Sequence, residues 1–380
     1  MANIHTLSFK QTLKLIKSVG PSRTILVRGE NGIGKTTLQR AMKRDPDMAH
    51  YHHVDPIDCT QLSDGSVWMP DIDRDAGVSR ELPNERFGMT RTNQKGINGA
   101  KPVTIFLDEI GKARQFIKDV LAPVAYEHRL GSYHMPEGSI VTLATNLSVE
   151  GLGDMFQAHL LNRLICVNMR KSTAEEWLND FASHQPGFSG EVMAFVSESP
   201  KLFDSFLDYE HGGKWQGKPM EKDNDMIFNP KAMQAAYASP RSLAAASDIV
   251  NCSLREGLDD DTMQFALEGT IGESAASALA AYIRFGKENP DFAEVMKDPA
   301  RARLAKGAVP QMVMTYKLIT TVSDRDEAAA ATEYVQRMRE EFQSLFCNTV
   351  ANSTTKIAHF LTVKPFQEML AANRIFFSTK

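Results

Sequence analysis

Gly29-Glu30-Asn31-Gly32-Ile33-Gly34-Lys35-Thr36 decides how the rest of the chain is read. It fits G-x-x-x-x-G-K-[ST], the pattern of a phosphate-binding loop. The chemistry requires these residue types. Glycines let successive backbone N–H groups turn inward around phosphate oxygens, Lys35 reaches the β- and γ-phosphates, and the Thr36 hydroxyl can ligate Mg²⁺. The flanks agree with the pattern. The apolar run Thr24-Ile25-Leu26-Val27 precedes the loop, and beyond Thr37 the residues Leu38 and Met42, four apart, begin an amphipathic helix. Gly29, Glu30, Asn31, Gly32, Ile33, Gly34, Lys35, Thr36 and Thr37 are therefore expected to hold a nucleotide's phosphates.

Working outward, Val103-Thr104-Ile105-Phe106-Leu107, Ile140-Val141-Thr142-Leu143-Ala144 and Leu164-Ile165-Cys166-Val167 are further short apolar runs. Such runs, apolar on both faces, suit interior strands of a parallel sheet covered by helices. His53-Val54-Asp55-Pro56-Ile57 reads as a fifth strand, placed by its proline near an edge or a strand end. The expected fold is thus α/β, a parallel phosphate-loop sheet flanked by helices. Three of the runs end in polar residues: the first at Gly29 and its loop, the second at Asp108-Glu109, the third at Thr145-Asn146. In open α/β sheets ligands bind beyond the carboxyl ends of the strands, so the chemistry gathers along one sheet edge. There Asp108 is expected to hold Mg²⁺ through its water shell. Glu109 is placed to orient or deprotonate an attacking water, and Asn146 to contact the γ-phosphate or that same water.

Composition narrows the classes. The chain has 380 residues, with 43 Lys+Arg against 47 Asp+Glu, a net charge of −4. That balance argues against coating nucleic acid through bulk electrostatics, though it leaves room for a local basic groove. No stretch approaches the length of a membrane span, and Met1 to Lys10 lacks the apolar core of a signal peptide. A soluble, cytoplasmic protein is expected. Cys59, Cys166, Cys252 and Cys347 are scattered singly and read as buried free thiols. His50, His52, His53 and Asp55 are poor metal ligands, because adjacent residues of a strand point to opposite faces.

After about residue 170 strand-like runs largely disappear. The passage from Gly187 to Asn229, with Gly212-Gly213 and Gly217-Lys218-Pro219, reads as loops joining helices, and the chain from Pro230 onward reads as helical. Ser239 is a good N-cap and Pro240 suits the first helical position, with Leu243, Ala246, Val250 and Leu254 continuing one helical face. Arg241 then falls in the first turn, where the helix dipole disfavours a cation, which points to an anionic partner.

The phosphate loop, the Asp-Glu strand and the polar third strand are followed by Leu161-Asn162-Arg163-Leu164 and by Ser239-Pro240-Arg241-Ser242. Together they resemble an AAA+ ATPase, and more narrowly its MoxR-like, dynein-related branch. Residues Gly153 to Leu164 are similar to that branch's run ending in Leu-Asp-Arg-Phe. The likeness covers about residues 20 to 255. Here Glu30-Asn31 replaces the common double proline, and Asn162 and Leu164 flank Arg163. The resemblance implies ATP and Mg²⁺ as cofactors, Asp108 and Glu109 as the Walker B pair, and Asn146 as the first sensor. It also implies that Arg163 is an arginine finger serving a neighbouring subunit and Arg241 the second sensor. Its domain plan is a nucleotide-binding domain over 1–170, an α-helical lid over 171–285 and a helical C-terminal region over 286–380. The implied assembly is a homo-hexamer acting on a protein client, with a von Willebrand factor A-domain protein as a further partner.

Between the loop and the Asp-Glu strand, Arg74, Arg80, Arg86, Arg91, Lys95 and Lys101 outweigh Asp75, Glu81 and Glu85. In the family an insertion here faces the ring pore, so Phe87, Met89 and their basic neighbours are expected to touch the client, against a plain solvated loop. Arg129 to Gly138 reads as a hairpin, which the resemblance places before the sensor strand. Two other functions fit the same motifs: a nucleic-acid-dependent motor or loader, and a slowly hydrolysing, nucleotide-gated assembly scaffold.

Overall fold

Short runs of Ile, Leu, Val and Phe between helices have one economical arrangement, side by side in a parallel sheet whose two faces are both covered. The computed structural model, which describes residues 6–63, 65–89, 101–147, 161–209, 224–353 and 355–373, has this arrangement. The chain divides into two compact units, Met1–Lys171 and Ser172–Lys380.

In the first unit, the strands β1 (Thr6–Leu7), β2 (Ile25–Gly29), β3 (His52–His53), β4 (Ile57–Asp58), β7 (Val103–Asp108), β10 (Ile140–Asn146) and β11 (Ile165–Met169) form one sheet. Its order is β1-β11-β2-β10-β7-β3, with β4 also on β7, and every pairing is parallel. The expected fifth strand is two short pieces, because Pro56 lies between them and has no N–H to give the ladder. Side chains alternate across the sheet as the period of two requires. Ile25, Val27, Phe106, Ile140 and Ala144 pack with α1 (Phe9–Val19) and α2 (Thr37–Arg44). Leu26, Ile105, Leu107, Val141 and Leu143 pack on the other face with α3 (Gln115–Glu127).

Two hairpins project from this unit: β5 (Trp68–Asp73) with β6 (Val78–Pro83), and β8 (Arg129–Leu130) with β9 (Tyr133–His134). The second was expected and the first was not. They are tied together, since Ser132 N donates to Glu81 O at 3.1 Å and Glu81 N donates to Ser132 Oγ at 2.9 Å. Gly131 is required there, because a Cβ would lie 2.4 Å from the Glu81 carbonyl oxygen.

The second unit is helical, and a single apolar core runs from Ala174 to Met369. Helix Pro240–Glu256 starts as expected, with the Ser239 side chain accepting from Ser242 N and Gly257 closing it in the left-handed region. Leu243, Ala246 and Val250 are buried, but Leu254 is exposed, and Ser253 continues the buried face in the last turn. Ser239→Ala is expected to weaken this unit by about 1 kcal/mol, read as a lower urea midpoint for its unfolding. The passage after Gly187 is not all loop. Gly190–Glu198 is a helix with Val192–Val196 buried throughout. No polar face interrupts that apolar run, so it lacks the helical period of a surface helix.

Other expectations need correcting. Phe87 and Met89 are core residues, 0% and 2% exposed, packed under β7 and α3 rather than presented to a client. Among the described residues, the large exposed apolar side chains of this region are Met69, Ile72 and Val78, on the β5–β6 hairpin. Cys59 and Cys347 are buried as expected, whereas Cys166 and Cys252 are exposed. Arg91 and Lys95, the stretches Gly212-Gly213 and Gly217-Lys218-Pro219 and the family-like run up to Leu160 lie outside the described residues. No helix among the described residues is long and apolar enough to cross a membrane.

Candidate nucleotide site

The loop leaves β2 at Gly29, where a Cβ would sit 2.5 Å from Ile33 Cδ1 and 2.8 Å from the Met169 carbonyl oxygen. Only glycine lets the turn start this close to β11. Gly32 (φ 74°) and Gly34 (φ 95°) then bend the loop through left-handed conformations before α2 begins at Thr37. Backbone N–H groups in such a turn, followed by a helix N-terminus, make an anion cradle.

Sheet order sets what lies beside that cradle. Because β10 is between β2 and β7, Asn146 pairs in register with Gly29, while Leu143 pairs with Leu107 on the other side. The end of β10 therefore stands between the loop and the Asp108-Glu109 end of β7. Lys35 is 7% exposed, and its Nζ donates to Gly29 O (2.9 Å), Glu30 O (2.8 Å) and Asn146 Oδ1 (2.7 Å). Asn146 Nδ2 donates to Glu109 Oε1 at 3.4 Å. An ammonium only donates and a carboxylate only accepts, so this pair of partners sets the orientation of the Asn146 amide. Thr36 Oγ1 donates to Asp108 Oδ2 at 2.5 Å. Lys35, Thr36, Asp108, Glu109 and Asn146, drawn from three separate segments, are thus brought together.

Their chemistry fits a nucleotide with Mg²⁺. The hydroxyl of Thr36 and the carboxylate of Asp108 are hard oxygen donors lying side by side, the kind of partial set Mg²⁺ takes alongside phosphate oxygens and water. Glu109 follows at φ 51°, ψ 29°, a left-handed conformation uncommon outside glycine and typical of residues held for function. Its N–H donates to Asp108 Oδ1 at 3.0 Å, so the two acids are oriented by one turn.

The surroundings are quiet. Burial, with the Asp108 carboxylate nearby, pushes the Cys59 thiol's pKa up and keeps it protonated. Burial pushes the His53 pKa down, and its ring nitrogens are engaged with Thr104 Oγ1 (2.9 Å) and Met48 O (3.0 Å). His53 ties structure together here and has no nitrogen left for a metal.

Arg163 is exposed, with its guanidinium carbon 5.7 Å from the centre of the Tyr126 ring. Asp154, the carboxylate weighed as its partner, lies outside the described residues. Arg241 is exposed in the first turn of its helix in the second unit. Two lysines at the site went unread in the sequence. Lys171, 8% exposed, faces the buried Glu30 carboxylate at 3.5 Å. Lys112 Nζ is 2.9 Å from Glu109 Oε2. Spacing of three from an expected base was a signal for Lys112, whereas nothing local marks Lys171.

No family model and no curated protein matches this sequence. Among solved structures the chain is similar to RuvB of Thermotoga maritima, at 13% identity over 77% of this chain and 75% of that one, with a TM-score of 0.33. It is similar to ORC2 of Aeropyrum pernix, in a structure with ADPNP and ADP, at 11% identity over 98% and 97%, TM-score 0.35. An Hsp104 chain, solved with ATPγS and casein, is 17% identical over 41% of this chain, TM-score 0.27, and this chain spans about 30% of its length.

Proposed function

We propose that the chain hydrolyses ATP with Mg²⁺ as a ring-forming AAA+ ATPase of MoxR-like type and uses the cycle to remodel or assemble a protein client. The observation that supports this best is the continuous set Lys35–Asn146–Glu109, beside Thr36–Asp108, at the carboxyl ends of three parallel strands. Loop N–H groups and Lys35 would hold the β- and γ-phosphates, and Thr36 and Asp108 would hold the metal. Bound Mg²⁺ supplies charge neutralisation across the phosphate oxygens. Glu109 would orient the attacking water and take its proton, while Asn146 links that carboxylate to the phosphate-binding lysine. In this reading Arg163 acts on a neighbouring copy, and Arg241 is a second phosphate-sensing arginine supplied by residues 171–285. A hexameric ring and a von Willebrand factor A-domain partner are carried by the family resemblance.

Turnover of ATP should require Mg²⁺ and stop on adding EDTA. Glu109→Gln should lower it roughly a hundredfold while ATP still binds, and a pull-down with this variant plus ATP should retain the client. No turnover by the wild-type chain would leave the nucleotide-gated scaffold as the reading. Stimulation by DNA or RNA that fades as salt rises would assign a nucleic-acid client instead.

A further inference from the structure

Glu109 carries more restraint than a surface turn needs. Its backbone is left-handed, and the short 3₁₀ turn Ile110–Lys112 that follows rests on two buried residues, Ile110 and Gly111. Lys112 N donates to Glu109 O at 2.9 Å, closing that turn and returning the lysine side chain to the glutamate. The two carboxylate oxygens then have different neighbours. Oε1 accepts from Asn146 Nδ2. Oε2 has Lys112 Nζ at 2.9 Å, yet it receives no aligned hydrogen bond, so the contact is a close charge pair.

We propose that Lys112 is a positioning residue for Glu109, holding the buried Oε2 so that the other carboxylate oxygen, Oε1, is the one left for the attacking water. The proposal rests on the reading of Glu109 as the water-orienting group. An oxygen that takes a proton needs a free lone pair and access to water; Oε2 is buried against Lys112, whereas Oε1 accepts one long contact from Asn146 and keeps its second lone pair. A glutamate side chain has several rotamers, and a base must be restricted to one of them before the reaction. Asn146 alone cannot do this, because a carboxylate held at one oxygen still swings about that contact. The second cation also matters for balance. Lys35 lies one hydrogen-bonded residue away through Asn146, and without Lys112 its charge would draw Glu109 toward the phosphate-binding lysine. Lys112 forms no other ion pair among the described residues.

The test compares Lys112→Met and Lys112→Arg in the full chain, reading steady-state Mg-ATP turnover and the affinity for a fluorescent ATP analogue. Lys112→Met should lower kcat roughly tenfold to a hundredfold and leave nucleotide affinity within about twofold, and Lys112→Arg should restore most of the rate. In a Glu109→Gln background, Lys112→Met should add no further loss, since it acts through the carboxylate. An unchanged or raised kcat overturns the proposal, as does a parallel loss of affinity or a loss that adds in full to that of Glu109→Gln. Wild-type turnover by Glu109→Gln alone would instead remove the reading of Glu109, whatever Lys112→Met does.

Discussion

Replacing Arg163 by alanine is expected to lower ATP turnover by roughly a thousandfold, while each subunit still binds ATP. A transferring phosphoryl group spreads charge over three oxygens, and a guanidinium fork is well matched to them. Supplied from a neighbouring copy, as proposed, that arginine would make hydrolysis conditional on assembly. Arg163 is suited to serve in this way. It is exposed, and its guanidinium is stacked near the Tyr126 ring rather than paired with a carboxylate among the described residues. Stacking on an aromatic face orders the side chain without neutralising its charge. Mixing adds a sharper measurement. Arg163→Ala and Glu109→Gln proteins, each nearly inactive, should recover part of the rate together, because some junctions then combine an intact base with an intact arginine. Wild-type turnover by Arg163→Ala removes the arginine from the mechanism. Loss without recovery on mixing would make it act within its own subunit.

What was legible in the sequence follows from how parallel sheets are built. Interior strands are buried on both faces, so β2, β7 and β10 stand out as unbroken apolar runs, and their polar ends mark one edge. Lys35, Thr36, Asp108, Glu109 and Asn146 could be grouped from that reasoning, and the structure brings them within hydrogen-bonding reach. Elements that follow no such rule were misread. Helix Gly190–Glu198 is apolar around its circumference and flanked by glycine and proline, so its 3.6-residue period is invisible. The β5–β6 hairpin carries Pro70, Asp71, Asp73 and Arg80 and has no clean alternation of apolar and polar residues, which hid it among charged loops.

Phe87 and Met89 show the converse error. The family resemblance, which places an insertion here at a ring pore, suggested a client-facing loop. Burial is decided by what lies opposite in space, and here that is the core under β7 and α3. Lys112 and Lys171 were passed over for a related reason. A lone lysine carries little local pattern, no more than a spacing of three from Glu109 for Lys112, and its role depends on whether a carboxylate lies opposite it in the fold. For Lys112 the partner is three residues back, and for Lys171 it is in the phosphate loop.

Lys171→Met is expected to destabilise the first unit by about 3–5 kcal/mol. Glu30 and Lys171 are both buried, with side chains 9% and 6% exposed, and their charged groups lie 3.5 Å apart. Two charges withdrawn from water have each paid a desolvation penalty that their mutual attraction largely offsets, so removing one leaves the other buried and uncompensated. A double variant, Glu30→Gln with Lys171→Met, removes both penalties and should recover most of the loss. Urea unfolding of the wild type, Lys171→Met and the double variant gives the comparison. Equal losses in the single and double variants would mean that the side chains fill space and do not act as a pair. The position of Glu30 adds a functional consequence. Its own carbonyl and that of Gly29 hold the Lys35 ammonium, so the ion pair braces the segment on which the phosphate-binding lysine rests. Lys171→Met should therefore weaken ATP binding under conditions where the protein remains folded, and the double variant, which still lacks the brace, should not regain it. Recovery of stability without recovery of affinity is the combination that a brace on the loop predicts and that a merely misfolded single variant does not.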